Sequence, residues 1–344
     1  MTSQFDKSAL VEVGRGARMG CAQLDVRESA SVFEPETFEE LLAATPQELA
    51  TADIARVNLL CATGLRGAEN LDIPACLATI DGWTEEVRQF TAWNFLHVFK
   101  PKTARDTPGF LRFWSMVKLL RHHKGLEHAL CPKDLDPEEK LVVLKPDGEG
   151  PESTYYNSDL VFIHGLLGDR KLGICTTFPV LFAAVGRRLG YPLKLVLTVS
   201  HVFTRWDDPA DTFNIDATSS HITVEPTERY IDKPRPWTDH EKSCPALLRP
   251  LTRLEEFAAF LGWRANTLAV NERYDEAEEM CDRAAQLFPD QPIHWLARKI
   301  DRGQVRVFME KDDWGYEIPE PDESQGDETT PEPEVVDKTV NPAG

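Results

Sequence analysis

Apolar residues recur at helical spacing through the first third of the chain, and the residues between them are those that start and stop helices. In "TPQELATADIARVNLLCATG" Thr45 is placed as an N-cap, Pro46 takes the first helical position and Glu48 completes a capping box. Ile54, Val57, Leu60 and Cys61 carry the spacing on, and Gly64 supplies a stop. "DIPACLATIDGWTEEVRQFTAWNFLHVF" and "TPGFLRFWSMVKLLRHHKG" read as further amphipathic helices whose tryptophans and phenylalanines belong to the core. His122 and His123, between Arg121 and Lys124, read as a solvated helix end that complements the dipole. "CPKDLDPEEKLVVLKPDGEGPES" carries a helix start, a short strand and a Gly/Pro loop.

Residues 157–220 change pattern. A helix in "SDLVFIHGLL" leads through "GDRKLG" to a second one, where Ile174, Phe178, Phe182, Val185 and Leu189 mark one apolar face and Gly190 ends it. β-type residues follow in "LKLVLTVSHVFTRW", then a turn "DDPA", then "DTFNIDATSS". Residues 221–250 are Pro-rich and irregular, and helical spacing returns from Leu254 to Arg302 around "RYDEAEEMCDRAAQLFPDQP". The expected fold class is α+β. A flexible arm (1–33) precedes a helical section (34–150), a mixed core (151–250), a helical hairpin (251–302) and an acidic disordered tail (303–344).

The chain has 344 residues, 42% of them hydrophobic, which supports a true core. Its net charge of −19 argues against a nucleic-acid or anionic-membrane partner. Much of that charge is local: from Glu310 onward twelve Asp/Glu stand against two Lys, a net of −10. Seven cysteines, at 21, 61, 76, 131, 175, 244 and 281, form no regular framework and point to a reducing, cytoplasmic setting. The N-terminus lacks the apolar stretch of a secretory signal, and no run approaches the roughly 20 apolar residues of a membrane span. There is no CxxC pair and no HExxH, and "GRGARMG" and "GLLGDRKLG" do not follow strands as a phosphate loop would. Neither a metal nor a cofactor is expected, and His164 and His221 near Cys175 lack ligand spacing.

Cys175 stands apart from the other cysteines. "GIC" lies at the mouth of an apolar helix, where unpaired N–H groups and the macrodipole favour a thiolate. Thr176 and Thr177 are cap candidates, and Pro179 requires the helix to begin about there. If 207–210 is a symmetric turn, residues paired across it sum to 417, so His201 faces Asp216 and Phe203 faces Asn214. Asp216 then holds the His201 tautomer and leaves the other ring nitrogen for a thiol. Cys244 and Cys281 have no base nearby in sequence and read as passive.

The order of Cys at a helix start, His on the next strands and Asp at a following strand end resembles the transglutaminase-like superfamily. "NSDLVFIHGLLGDRKLGICTTFPVLFAAVGRRLGYPL", "SHVFTRWD" and "FNIDAT" are similar to its bacterial second transglutaminase-core family. The resemblance implies a papain-like core, a central helix packed on a small antiparallel sheet, and cysteine-dependent acyl chemistry through Cys175, His201 and Asp216. Its substrate would be an amide of a protein or peptide, with an amine or water as acceptor. Val199 and Ser200 stand where that family often has Pro-Gly before the His. For the oxyanion, the Cys175 N–H is one donor and Asn157, or Tyr156, is the candidate second. "YDEAEEMCDRAAQLFP" sets Tyr274, Ala277, Cys281, Ala284 and Pro289 where a tetratricopeptide repeat has its packing residues; Ala265 and Leu268 suit the preceding helix, and Trp295 would open a capping one. The competing class is a non-catalytic scaffold with a relict core and a protein partner at the C-terminal helices.

Overall fold

In a computed structural model, residues 32–97, 107–129, 155–199, 201–216, 223–231 and 236–290 are described. The proposed arm up to residue 31, the 131–153 segment, His221, Trp295 and the acidic tail lie outside them.

The helical N-terminal section forms as short capped pieces before one long helix. Thr37, Thr45 and Asp53 each accept a hydrogen bond from the N–H three residues on, opening α1 (Phe38–Ala43), α2 (Pro46–Thr51) and α3 (Ile54–Ala62). The capping box of Thr45 and Glu48 is present. The single helix expected across "TPQELATADIARVNLLCATG" is therefore two. Asp53 is both the cap of α3 and a partner of Arg188 at 3.0 Å, and both roles favour a break there. Gly64 ends the segment with φ +72, a conformation that suits glycine. α4 (Ile73–His97) and α5 (Pro108–Lys118) follow, α5 running into a wider turn at Leu119–His123. Val87, Ile80, Phe113 and Met116 are buried, but Trp93 and Leu96 on α4 are exposed, so not all of the aromatics expected in the core lie there.

The strand β1 (Glu127–His128) pairs in parallel with β2 (Leu172–Gly173), which lies beyond two four-residue helices, α6 (Ser158–Val161) and α7 (His164–Leu167). One helix was expected over "SDLVFIHGLL"; two form, with Phe162 and Ile163 buried between them. α8 (Phe178–Arg188) is the apolar helix of the mixed core. Phe178, Phe182 and Val185 are buried, and Gly190 leaves the helix at φ +74. α8 touches α3, α4 and α5 as well as the sheet, so its apolar surface is covered by both.

That sheet is four antiparallel strands in the order β3 (Leu193–Leu197), β4 (Val202–Trp206), β5 (Phe213–Asp216), β6 (Thr223–Glu225). "LKLVLTVSHVFTRW" is thus two strands and a tight turn. The Thr198 N–H and hydroxyl both donate to the His201 carbonyl, at 2.8 and 3.1 Å, and close the turn just before β4. The β4–β5 register also differs from the one expected. Thr204 faces Ile215, Arg205 faces Asn214 and Trp206 faces Phe213, so pairs sum to 419. The connection is six residues, closed by Asp208, whose carbonyl accepts from the Asp211 N–H and the Thr212 hydroxyl.

α9 (Asp239–Ser243), α10 (Arg253–Val270) and α11 (Tyr274–Leu287) complete the described chain, α10 packing on α2, α3, α6 and α11. The arrangement is mixed helix and small sheets, an α+β fold. No helix among the described residues is long and apolar enough to cross a membrane.

Candidate active site

Cys175 sits on a turn fastened on both sides of it. The Ile174 N–H donates to Thr177 Oγ1 at 2.8 Å, and the Thr177 hydroxyl donates back to the Ile174 carbonyl at 2.9 Å. The Thr176 hydroxyl reaches the Val161 carbonyl at 3.0 Å, which ties the turn to α6. Gly173 is required by this closure, since a Cβ there would overlap Thr177 Oγ1 and crowd Leu166. From Gly173 to Phe178 every residue is buried except Cys175, which is partly exposed. The turn therefore presents one side chain, the thiol, two positions ahead of the Thr177 N-cap of α8. Thr177 spends its hydroxyl on this turn, and Pro179 stands in the first helical turn, where a missing N–H costs nothing.

His201 projects from the end of the β3–β4 turn toward β5. Its Nε2 is 3.0 Å from Asp216 Oδ2, with both side chains about four-fifths buried (23% and 21% exposed). Continuing the observed register sets Asp216 opposite Phe203, making His201 and Asp216 diagonal rather than direct neighbours. A shift of two residues keeps both on the same face of the sheet, and diagonal pairs remain within side-chain reach. The tautomer follows: Nε2 is committed to Asp216, leaving Nδ1 for a thiol.

Burial alone would lower the pKa of His201. Hydrogen bonds to Asp216 and Cys175, with the charges of both, outweigh it and raise the ring to about 10. The imidazolium is the resident form across neutral pH, electrostatically coupled to the Cys175 sulfur. Burial pushes Cys61 and Cys281 up to about 12 and raises Cys76 and Cys244.

Two aromatic residues outside the expected set shape the site. Tyr230 stacks on His201 (centroids 6.3 Å, planes at 17°) and on Phe203 (4.1 Å, 10°), bracing the imidazole. His128 stacks on Phe178 (6.2 Å, 16°) and is electrostatically coupled to His201 and Asp216. Neither had a local signal: Tyr230 falls in the irregular Pro-rich stretch, and His128 arrives by a two-residue parallel pairing. Asn157 is elsewhere. Its Oδ1 lies against Gly67, and the Ser158 N–H donates to the Arg66 carbonyl, so its described neighbours are at the α3–α4 connection. Tyr156 packs under the Arg66 guanidinium, 4.0 Å from its ring centroid, and its carbonyl accepts from Asn271. His164 Nε2 lies 3.3 Å from both Ser158 Oγ and the Gly67 carbonyl, a structural setting. Among the described residues no group of three or more His, Cys, Asp or Glu could hold a metal ion.

A family model described as transglutaminase-like superfamily matches residues 149–246, a stretch that holds most of this geometry but not His128. The chain carries a transglutaminase-like domain. Cys175, His201 and Asp216 all lie inside it. Searches of curated proteins and of solved structures return no match to the chain. The transglutaminase-like superfamily is one of cysteine-dependent acyl chemistry, and α8 with its four-stranded sheet is the part of this domain that positions the three residues.

Proposed function

We propose that the transglutaminase-like domain performs acyl transfer or amide hydrolysis on a protein or peptide substrate through Cys175, His201 and Asp216. The observation that carries this reading is the convergence of a partly exposed thiol, held on a pinned turn, with an imidazole already oriented by a carboxylate. Cys175 Sγ, as thiolate beside the His201 imidazolium, attacks the carbonyl carbon; the C–S bond forms as the π pair moves to oxygen. When the tetrahedral species collapses, the C–N bond breaks and His201 gives its proton to the departing amine. Neutral His201 then accepts a proton from the attacking amine or water, the C–S bond breaks, and the thiolate–imidazolium pair is restored. Asp216 stabilises the imidazolium throughout. The Cys175 N–H is the first donor to the oxyanion. An amine acceptor makes the enzyme a transferase, and water makes it a hydrolase. A papain-like core of α8 on the antiparallel sheet is the fold that goes with this chemistry. Burial of Ala265, Leu268, Ala277, Cys281 and Ala284 supports reading α10 and α11 as a tetratricopeptide-like hairpin packed on the domain.

The test is acylation by p-nitrophenyl acetate followed by peptide mapping. The expected result is a rapid release of p-nitrophenolate matched by acetyl on the Cys175 peptide, absent in Cys175→Ala. An added primary alkylamine that is acetylated in turn identifies the transferase. Acetylation confined to other residues, with Cys175 unmodified, contradicts the reading.

A further inference from the structure

The sheet that carries His201 and Asp216 also carries a polar clamp that the mechanism above does not use. Arg205 and Asn214 face each other across β4 and β5. Arg205 has only N–H groups to give, so its Nε–H donates to Asn214 Oδ1 at 2.7 Å. That leaves Asn214 Nδ2 to donate to Thr227 Oγ1 at 3.0 Å. Thr227 opens a single 3-10 turn, Thr227–Tyr230, whose last residue is the tyrosine stacked on His201. Arg205 also donates to the Leu248 carbonyl at 3.3 Å. Leu248 takes a left-handed backbone at φ +59, its N–H donates to the Leu197 carbonyl at 2.9 Å, and it packs with Val196, Phe203 and Tyr230. A branched side chain is strained in that conformation, so its neighbours hold it there. Asn214 is buried beside this apolar cluster, where a polar pair costs desolvation that an apolar pair would not.

We propose that Arg205, Asn214 and Thr227 are positioning residues that set the Tyr230 ring against His201 and so hold the imidazole toward both Asp216 and Cys175, a role that rests on the acyl chemistry proposed above. The His201 backbone is fixed by the two hydrogen bonds its carbonyl takes from Thr198. The bond from Nε2 to Asp216 anchors one atom of the ring, and a swing about that atom would carry Nδ1 away from the sulfur. A near-parallel ring stacked on the imidazole opposes that swing. Tyr230 can serve because its own plane is set twice. Phe203 lies 4.1 Å from it at 10°, and Asn214 fastens the start of its turn through Thr227. No proton passes along the clamp, which acts by orientation alone.

The test replaces Thr227 and reads His201. Thr227→Val keeps the shape but loses the acceptor for Asn214, and Thr227→Ser restores it. Hydrogen bonds to Asp216 and Cys175 raise the His201 pKa, so a loosened ring must titrate lower. Followed by NMR of isotope-labelled histidine, His201 should titrate about one pH unit lower in Thr227→Val than in the wild type, and Thr227→Ser should restore the wild-type value. Asp216, Cys175 and His128, which couple to the His201 ring, are present in every variant. Iodoacetamide alkylation of Cys175 at pH 6 should fall about tenfold in Thr227→Val while the rate at pH 9 is kept. Tyr230→Leu should shift His201 in the same direction, and adding Thr227→Val to it should lower the titration no further, because the clamp has lost the ring it sets. An unchanged His201 titration in Thr227→Val overturns the assignment. So does a further fall in the double variant, a shift that Thr227→Ser does not relieve, or a wild-type His201 that titrates as a free imidazole. If His201 responds as expected while wild-type Cys175 is neither alkylated readily nor acetylated, the acyl chemistry fails and the positioning stands.

Discussion

His201→Ala should lower the rate of Cys175 acetylation by p-nitrophenyl acetate at neutral pH by about 10²–10⁴-fold, the range for a lost acid–base partner. The variant loses the charge beside the sulfur and the base that takes the thiol proton. Its effect should exceed that of any other substitution in the sheet, because Asp216 and Tyr230 both act on the imidazole that meets the thiol. The backbone contribution of His201, its carbonyl accepting from Thr198, survives the substitution, so the β3–β4 turn is kept and the loss is one of chemistry. A fall of less than tenfold would remove His201 from the mechanism.

The largest stability effect is expected far from the thiol, at the other end of α8. Arg187 forms a two-pronged pair with Glu256 on the first turn of α10, one contact at 2.8 Å, and also donates from Nε to the Leu193 carbonyl at 2.9 Å. The side chains are 13% and 3% exposed. Removing one partner of such a pair strands a buried charge, so Glu256→Ala should destabilise the fold by about 3–5 kcal/mol in urea unfolding. Replacing both, as Arg187→Met with Glu256→Leu, should recover most of that loss, because two apolar chains of similar volume need no desolvated partners. Equal losses in the single and double variants would mean that packing, and not charge, dominates there.

These cases mark what could be read in the chain. Capping chemistry is local, and the Thr45–Glu48 box and the stops at Gly64 and Gly190 were legible. The break between α2 and α3 was not, since one of the interactions favouring it is the contact of Asp53 with Arg188, 135 positions away. The shared face of His201 and Asp216 was legible because strand alternation has period two, and an error of two in register leaves it intact. The register itself depended on how Asp208 closes a six-residue connection that looked like a four-residue turn. The tight turn at Thr198–His201 also went unread, within a run that is β-type throughout. His128 is the clearest omission. His122 and His123 are exposed as their charged neighbours suggested, while His128, five residues on, is carried into the site by pairing with a strand 45 positions later.

The most direct test of the account is the pH dependence of iodoacetamide alkylation at Cys175, located by peptide mapping, in the wild type and in His201→Ala. A thiolate–imidazolium pair predicts that the wild type reacts nearly as fast at pH 6 as at pH 8, and that His201→Ala reacts only as pH approaches the free-thiol value of about 8.5. Identical profiles in the two proteins, each rising like a free thiol, would contradict the pair and with it the proposed chemistry.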